Sequence, residues 1–249
     1  MVTRLGIDIG GSGIKGAPVD LESGELTAER LRVDTPEGAE PDAVAAEVAK
    51  IVEHFGWTGP FGCGLPAVVQ RGVARTAANI SSAWIGLDAA GLFARATGRD
   101  RDHVAVANDA DVAGMAELRY GPATWRDGVT VFLTLGTGVG SAIFHDGVLL
   151  PNTELGHLEI RGKDAEHRAA ASARTRNDWS WEEWAGHLEE MLDHLDRLLT
   201  PDRYVLGGGI SSKADKFVPL LERPGRIEIA TRHNRAGVVG AALLSPAPD

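Results

Sequence analysis

The sequence predicts an α/β protein of two lobes flanking a central cleft, and three observations carry that prediction. Strand-like and helix-like runs alternate through both halves. A strand, a glycine turn and a second strand occur in that order once in each half, and no low-complexity linker separates the halves. The first copy is Asp8-Ile9-Gly10-Gly11-Ser12-Gly13-Ile14-Lys15-Gly16, and the second is Leu135-Gly136-Thr137-Gly138-Val139-Gly140-Ser141-Ala142. Glycines let backbone N–H groups approach an anion with no Cβ in the way, and small hydroxyl side chains add donors. Two such hairpins are what a duplicated phosphate-clamping fold needs.

Taken in order, strands are expected over residues 4–9, 13–19 and 26–33, with 21–24 turning between the last two. Pro36 and Pro41 interrupt the chain, and a helix over 43–55 follows from Val44, Val48, Ile51, Val52 and Phe55 at helical spacing. A short buried strand covers 60–65, a helix 92–97 and another strand 104–106, after which the polar pair Asn108-Asp109 leads into a helix over 110–118. The polar, basic and Ala-rich stretch 162–177 reads as a mobile loop or a weak helix. Ser180 then opens the clearest helix, with Trp181, Trp184, Leu188, Met191, Leu192, Leu195 and Leu198 on one face, a core stripe. A strand over 204–206, the run Gly207-Gly208-Gly209, a helix over 213–221, a strand over 227–229 and a last helix complete the chain. The expected lobes are residues 1–107, completed by the C-terminal helix 236–249, and 108–235.

Composition narrows the functional classes. A length of 249 residues with 43% apolar side chains supports a real core, and 24% charged residues is ordinary for a soluble protein. The net charge of −10 argues against a surface that coats nucleic acid. The single cysteine, Cys63, excludes an internal disulfide and a Cys-based zinc site, so a reducing cytoplasm is the expected compartment. Asp8 interrupts the first apolar run, so no signal-peptide core is expected, and no run is long enough to span a membrane.

Residues 11–16 fit the dinucleotide pattern G-x-G-x-x-G, but Gly16 and Pro18 spoil the helix which that motif requires directly after its turn. The Walker A pattern fails as well, because Lys15 is followed by Gly16 and not by Ser or Thr. Tight hairpins with glycines for turn geometry alone would explain either segment singly. Both together, with Asp8 at a strand end and Lys15 just beyond it, favour an anion-binding pair.

These segments resemble the ROK (repressor, open reading frame, kinase) sugar kinases, whose fold is the duplicated actin/hexokinase-like, ribonuclease H-like one. Residues 8–16 resemble the first phosphate motif, 135–142 the second, and Gly207-Gly208-Gly209-Ile210-Ser211 the nucleotide-side glycine motif. Asn108-Asp109-Ala110-Asp111 resembles the segment bearing the catalytic aspartate, and Glu154-Leu155-Gly156-His157 the Glu-x-Gly-His sugar signature. The wording of residues 64–69, 76–80, 135–141 and 181–184 is similar to the branch of actinobacterial polyphosphate glucokinases and glucomannokinases. The Cys-rich zinc loop of most ROK kinases is absent from this sequence, and the helix-turn-helix of the repressors is not expected, since the first phosphate motif begins at Asp8.

Phosphoryl transfer to a sugar hydroxyl needs a base, cations and in-line placement. Asp109, at a strand end, is the candidate base; the competing reading is that Asn108 or Asp109 caps the helix. Asn108 is expected to hydrogen-bond the sugar. Asp8 can hold Mg²⁺ or bond its own turn, and Lys15 can meet the phosphate chain or stay exposed. Donor binding is assigned to Asp8, Gly10, Gly11, Ser12, Gly13, Lys15, Gly136, Thr137, Gly138, Gly140, Gly208 and Gly209. Glu154 and His157 are expected to grip sugar hydroxyls, and the resemblance adds Asn79 and, more weakly, Asp88. Glu183 has two readings: a family glutamate near this position contacts the sugar, yet Ser180 and Glu183 also form a capping-box pattern. Arg161, Lys163, Arg168, Arg174 and Arg176 either line a track for a long anion or belong to a solvated loop.

The resemblance implies a cytoplasmic, Mg²⁺-dependent kinase that phosphorylates the 6-hydroxyl of glucose from polyphosphate, with ATP as a possible second donor, and a homodimer. Nucleic-acid and membrane partners are not expected. The alternatives are a strictly ATP-dependent kinase for glucose, mannose or an N-acetylhexosamine, and a non-catalytic sugar sensor that kept the fold.

Overall fold

The computed structural model describes residues 2–247 and divides the chain into two compact units. One holds the residues up to Tyr120 together with those from Arg235 onward; the other is Gly121–Asn234. The expected boundary near Ala107 lies inside the first unit. The helix that follows Asn108 stays there because it packs against the C-terminal helix and against strands of the first sheet.

In the first unit, β1 (Thr3–Gly10) and β2 (Gly13–Asp20) form a hairpin, and β3 (Leu31–Val33) adds to it antiparallel. Helix α1 (Pro41–His54) precedes β4 (Phe61–Leu65). A small hairpin, β5 (Val69–Gln70) and β6 (Val73–Ala74), leads to α2 (Ala89–Thr97), β7 (Val104–Asn108) and α3 (Asp109–Tyr120). The sheet order is β3-β2-β1-β4-β7, with β1, β4 and β7 parallel. Leu5, Ile7 and Ile9 alternate into a core shared with Val44, Val48, Ile51 and Phe93, all fully buried.

In the second unit, β8 (Val129–Leu135), β9 (Val139–His145) and β10 (Val148–Leu150) form the antiparallel part. There follow β11 (Glu159–Ile160), β12 (Lys163–Asp164), α4 (Glu166–Ala169), α5 (Ala171–Asn177), α6 (Trp181–Leu199), β13 (Arg203–Gly207), α7 (Ala214–Phe217) and β14 (Ile227–Ile229). The main sheet runs β10-β9-β8-β13-β14, with β8, β13 and β14 parallel. Strand for strand this repeats the first sheet: two antiparallel additions on one side of a central strand, two parallel ones on the other.

Helix α8 (Ala236–Leu244) returns to the first unit, where it lies on β1 and β4 and crosses α3. The crossing is close because position 240 lacks a side chain. A β-carbon on Gly240 would sit 1.6 Å from the Val112 carbonyl oxygen of α3.

One open reading is decided and two expectations are corrected. Of the two readings of residues 162–177 the helical one holds: they form β12 and the short helices α4 and α5, with a break at the extended backbone of Ala170. The helix expected over 213–221 is only the four-residue α7 flanked by 3-10 turns, because Pro219 cannot continue an α-helix. The stripe of α6 buries Trp184, Leu188, Met191, Leu192 and Leu195 completely, each apolar side chain contributing about 1.5–3 kcal/mol, but Leu198 is 65% exposed. Leu199, four residues after Leu195, takes the inward place that the 3.6-residue period assigns.

Candidate functional site

In the first unit the chemistry gathers at the carboxyl ends of the parallel strands, where open α/β sheets place their ligands. Asp8 lies near the end of β1 and pairs in register with Lys15 of β2 and Gly64 of β4. The Lys15 Nζ stands 3.4 Å from Asp8 Oδ2. The first turn of α8 comes up against the same carboxylate: a β-carbon on Gly237 would lie 2.6 Å from Asp8 Cγ. Gly10 and Gly13 face each other across the two-residue turn Gly11-Ser12, both of which are exposed. Asn79, in the left-handed conformation (φ 59°), packs its backbone on that turn, its carbonyl oxygen 3.4 Å from where a Gly11 β-carbon would be.

Asp109 follows β7, one strand beyond β4, so Asp8 and Asp109 flank Gly64 on strands roughly 10 Å apart. A β-carbon on Gly64 would sit 3.4 Å from the Asp109 α-carbon. Asp109 is half-buried, and its Oδ1 accepts the Ala110 N–H at 2.8 Å. Asn108, just before it, ends β7. It is buried, its Oδ1 accepts the N–H groups of Ala110 (2.8 Å) and Asp111 (3.1 Å), and its Nδ2 donates to the Ala67 carbonyl at 3.2 Å. Asn108 therefore caps α3 and orients its neighbour. Asp88 is likewise occupied: it caps α2 through the Gly91 N–H (3.0 Å) and pairs with Arg101 (3.1 Å). Burial pushes its pKa up, but these two partners outweigh that and hold it below the usual value.

In the second unit Gly136, Thr137 and Gly138 join β8 to β9. Ser172 of α5 holds the turn from one side, its Oγ donating to the Thr137 carbonyl at 2.6 Å and its N–H to the Gly136 carbonyl at 3.0 Å. Glu166 of α4 holds it from the other, accepting the Val139 N–H at 3.0 Å. Gly208 (φ 85°) lies against the end of β8, where a β-carbon would meet the Leu135 carbonyl oxygen at 2.5 Å. The two glycine segments of this unit thus adjoin at the carboxyl ends of the parallel pair β8 and β13, and Gly140 enters β9 directly after them.

The segment bearing Glu154 and His157 is tied to β9. Ser141 Oγ donates to the Thr153 carbonyl (2.7 Å) and accepts the Leu155 N–H (3.0 Å). Gly156 is required because its α-carbon lies on the Val139 backbone; a β-carbon would stand 2.4 Å from the Val139 carbonyl oxygen. His157 Nδ1 donates to Asp164 Oδ2 at 2.8 Å, and its Nε2 faces Glu154 Oε2 at 3.9 Å. The Asp164 hydrogen bond raises the pKa of His157 above its usual value, with help from Glu166 and Glu154 against the opposing effect of burial. Burial pushes the Glu154 carboxyl up, and Glu166 adds to that while His157 opposes it. Glu154, His157 and Glu166 therefore form one electrostatic group beside the second glycine turn.

Glu183 lies in the first turn of α6. Its Oε2 accepts the Ser180 N–H at 2.8 Å while Ser180 Oγ accepts the Glu183 N–H at 3.1 Å, a complete capping box. That explains the residue without a ligand. Glu166, whose charge acts on both Glu154 and His157, was missed because it lies in the stretch read as a mobile loop or a weak helix. The basic residues of that stretch are largely paired. Arg161 and Arg168 both contact Glu190 (2.6 and 3.6 Å), Arg174 lies 3.9 Å over the ring of Trp181, and Arg176 donates to the His167 carbonyl. Lys163, in β12, is exposed.

Among the described residues no group of three or more His, Cys, Asp or Glu side chains is placed to hold a metal ion. A magnesium ion, which takes one or two carboxylates and completes its shell with water and substrate phosphates, fits the single carboxylate of Asp8 beside the first turn. No helix among the described residues is long and apolar enough to cross a membrane.

Two sheets of one topology, each with a glycine turn after its central strand, define the actin/hexokinase-like sugar-kinase fold. Residues 4–174 match the model of the ROK family, and the chain belongs to that family. Over 243 residues, 98% of this chain and 91% of its counterpart, it is 49% identical to a polyphosphate glucokinase of Mycobacterium tuberculosis (strain CDC 1551 / Oshkosh). A polyphosphate glucokinase of Mycobacterium leprae (strain TN) is 48% identical over 98% of this chain and 74% of that one. Among solved structures, the inorganic polyphosphate/ATP-glucomannokinase from Arthrobacter sp. strain KM superposes with a TM-score of 0.91 at 44% identity, covering 98% of both chains.

Proposed function

We propose that the protein is a glucokinase that transfers a phosphoryl group from inorganic polyphosphate, and secondarily from ATP, to the 6-hydroxyl of glucose. The observation that carries the chemistry is the placement of Asp8 and Asp109 at one edge of the first sheet, flanking Gly64, with the Gly10–Gly13 turn and Lys15 beside Asp8. Near-full-length similarity to polyphosphate glucokinases supports the choice of donor and acceptor.

Asp109 is the general base that takes the proton of the 6-hydroxyl as the hydroxyl oxygen attacks phosphorus; such a base contributes about 10²–10⁴-fold. The capped start of α3 holds it in place through Asn108. Glu154, His157 and Glu166 bind sugar hydroxyls, Glu166 taking the role that one of the two readings of Glu183 offered. Asn79 shapes the first turn. The backbone N–H groups of Gly10–Gly13, of Gly136–Gly138 with Gly140, and of Gly208 and Gly209 receive the donor. Asp8 holds Mg²⁺, which neutralises charge on the donor phosphates when bound, and Lys15 adds a fixed positive charge. A homodimer in the cytoplasm belongs to the same proposal.

The expected behaviour of Asp109→Asn tests the assignment. Turnover falls by at least about 10²-fold, while glucose binding measured by calorimetry stays within a small factor of the parent. Near-normal kcat in that variant would refute Asp109 as the base. Retention of all these groups together speaks against a non-catalytic sensor, which needs neither a base nor a donor clamp.

A further inference from the structure

The register of the first sheet places a third charged residue beside Asp8 and Lys15. Lys15 faces Asp8 across β1–β2 and Arg32 across β2–β3, so Asp8, Lys15 and Arg32 form a row on one face of the sheet. Arg32 does not simply extend into solvent. Its guanidinium lies on the glycine turn: a β-carbon on Gly13 would stand 2.8 Å from Nε and 2.9 Å from Nη2. Glycine at position 13 is thus what leaves room for the cation. Nη2 donates to the Ser12 carbonyl at 3.0 Å, which pins the group to the tip of the hairpin. The segment after β3 is pinned as well, by Thr35 Oγ1 donating to the Gly10 carbonyl at 2.5 Å.

The remaining partner of Arg32 is weakly held. Nη1 contacts Asp34 Oδ1 at 2.9 Å, but the two side chains are 50% and 85% exposed. Exposed ion pairs of this kind contribute little to stability, so an incoming phosphate, which a guanidinium binds in a two-pronged fashion, readily takes the place of the carboxylate. Lys15 differs: its charge is shared with Asp8, and an ammonium offers a point contact and no planar fork.

We propose that Arg32 is a donor-binding residue, gripping a phosphate of the donor chain that is not itself transferred, and that Asp34 is the counter-ion this phosphate displaces. The inference rests on the kinase reading above and adds a specificity element which that reading does not use. The row from β1 to β3 spans roughly 10 Å, so a linear polyanion lying along it meets Lys15 and then Arg32.

The test is steady-state kinetics of the whole protein with glucose and a polyphosphate of defined length, for the parent, Arg32→Gln and Asp34→Ala. Loss of a charge-assisted contact in Arg32→Gln raises KM for polyphosphate about tenfold or more, leaves KM for glucose within about twofold, and flattens the rise of the donor KM with salt. Asp34→Ala, at a position too exposed to disturb folding, lowers the donor KM. An unchanged donor KM in Arg32→Gln, or an unchanged or higher one in Asp34→Ala, overturns the proposal. A parent protein inactive with polyphosphate but active with ATP would instead defeat the choice of donor, and the same two variants assayed with ATP then decide the role of Arg32.

Discussion

His157 and Asp164 show how a single hydrogen bond sets the charge state of a candidate sugar ligand. Because the Asp164 carboxylate accepts from Nδ1, the cationic imidazole is favoured in the folded protein, and Nε2 then also carries a hydrogen aimed toward Glu154. A raised folded-state pKa means that the pair stabilises the fold fully below the usual histidine value. That contribution is lost as pH rises through the raised one. It is small, since the two side chains are 53% and 40% exposed. The expected outcome in a histidine proton NMR titration is a His157 midpoint above the ordinary value, moving down in Asp164→Asn; a midpoint that does not move would contradict the pairing. At this scale Asp8, Lys15 and Asp109 were legible in the sequence, since each sits within or directly beside a recognisable apolar run. Arg32 and Glu166 were not. Their positions matter only because β3 pairs onto β2 and because α4 packs under a turn that lies well before it in the chain.

The elements that hold these residues are fixed by close backbone approach as much as by apolar burial. Helix α8 crosses α3, the helix that Asp109 opens, at a point where Gly240 touches the Val112 carbonyl. Gly240→Ala therefore pushes the two helices apart. Overpacking of this kind costs about 1–3 kcal/mol or more, and each kcal/mol lowers Tm by roughly 2–4 °C in a chain of this size. Differential scanning calorimetry is expected to show that drop, together with a loss of kcat as Asp109 shifts; an unchanged Tm would mean that the crossing is looser than it looks. Most elements could be read from apolar periodicity, α6 and the two hairpins above all. Those that could be read only loosely, α4, α5 and the interrupted α7, are short helices whose stability comes from tertiary partners. One such contact is the Trp184 Nε1 hydrogen bond to the Ala169 and Ala170 carbonyls at the α4–α5 break.

At the scale of the whole molecule, duplication explains why a modest chain carries so many glycine turns. Each unit has the same five-strand order, and in each the hairpin after the central strand is a glycine turn with a charged or hydroxyl side chain laid against it. Arg32 lies on the first turn, whereas Glu166 lies on the second, so the side chains laid against the two copies have diverged. The repeat was visible in the sequence as two glycine segments; the divergence was not, because neither Arg32 nor Glu166 belongs to the repeated segments themselves. Phosphoryl transfer from polyphosphate to glucose can be watched directly by ³¹P NMR of the purified protein with Mg²⁺, glucose and polyphosphate as sole donor. The expected outcome is a glucose 6-phosphate resonance growing as polyphosphate is consumed, faster than with an equal concentration of ATP. No glucose 6-phosphate from polyphosphate, alongside brisk formation from ATP, would contradict it.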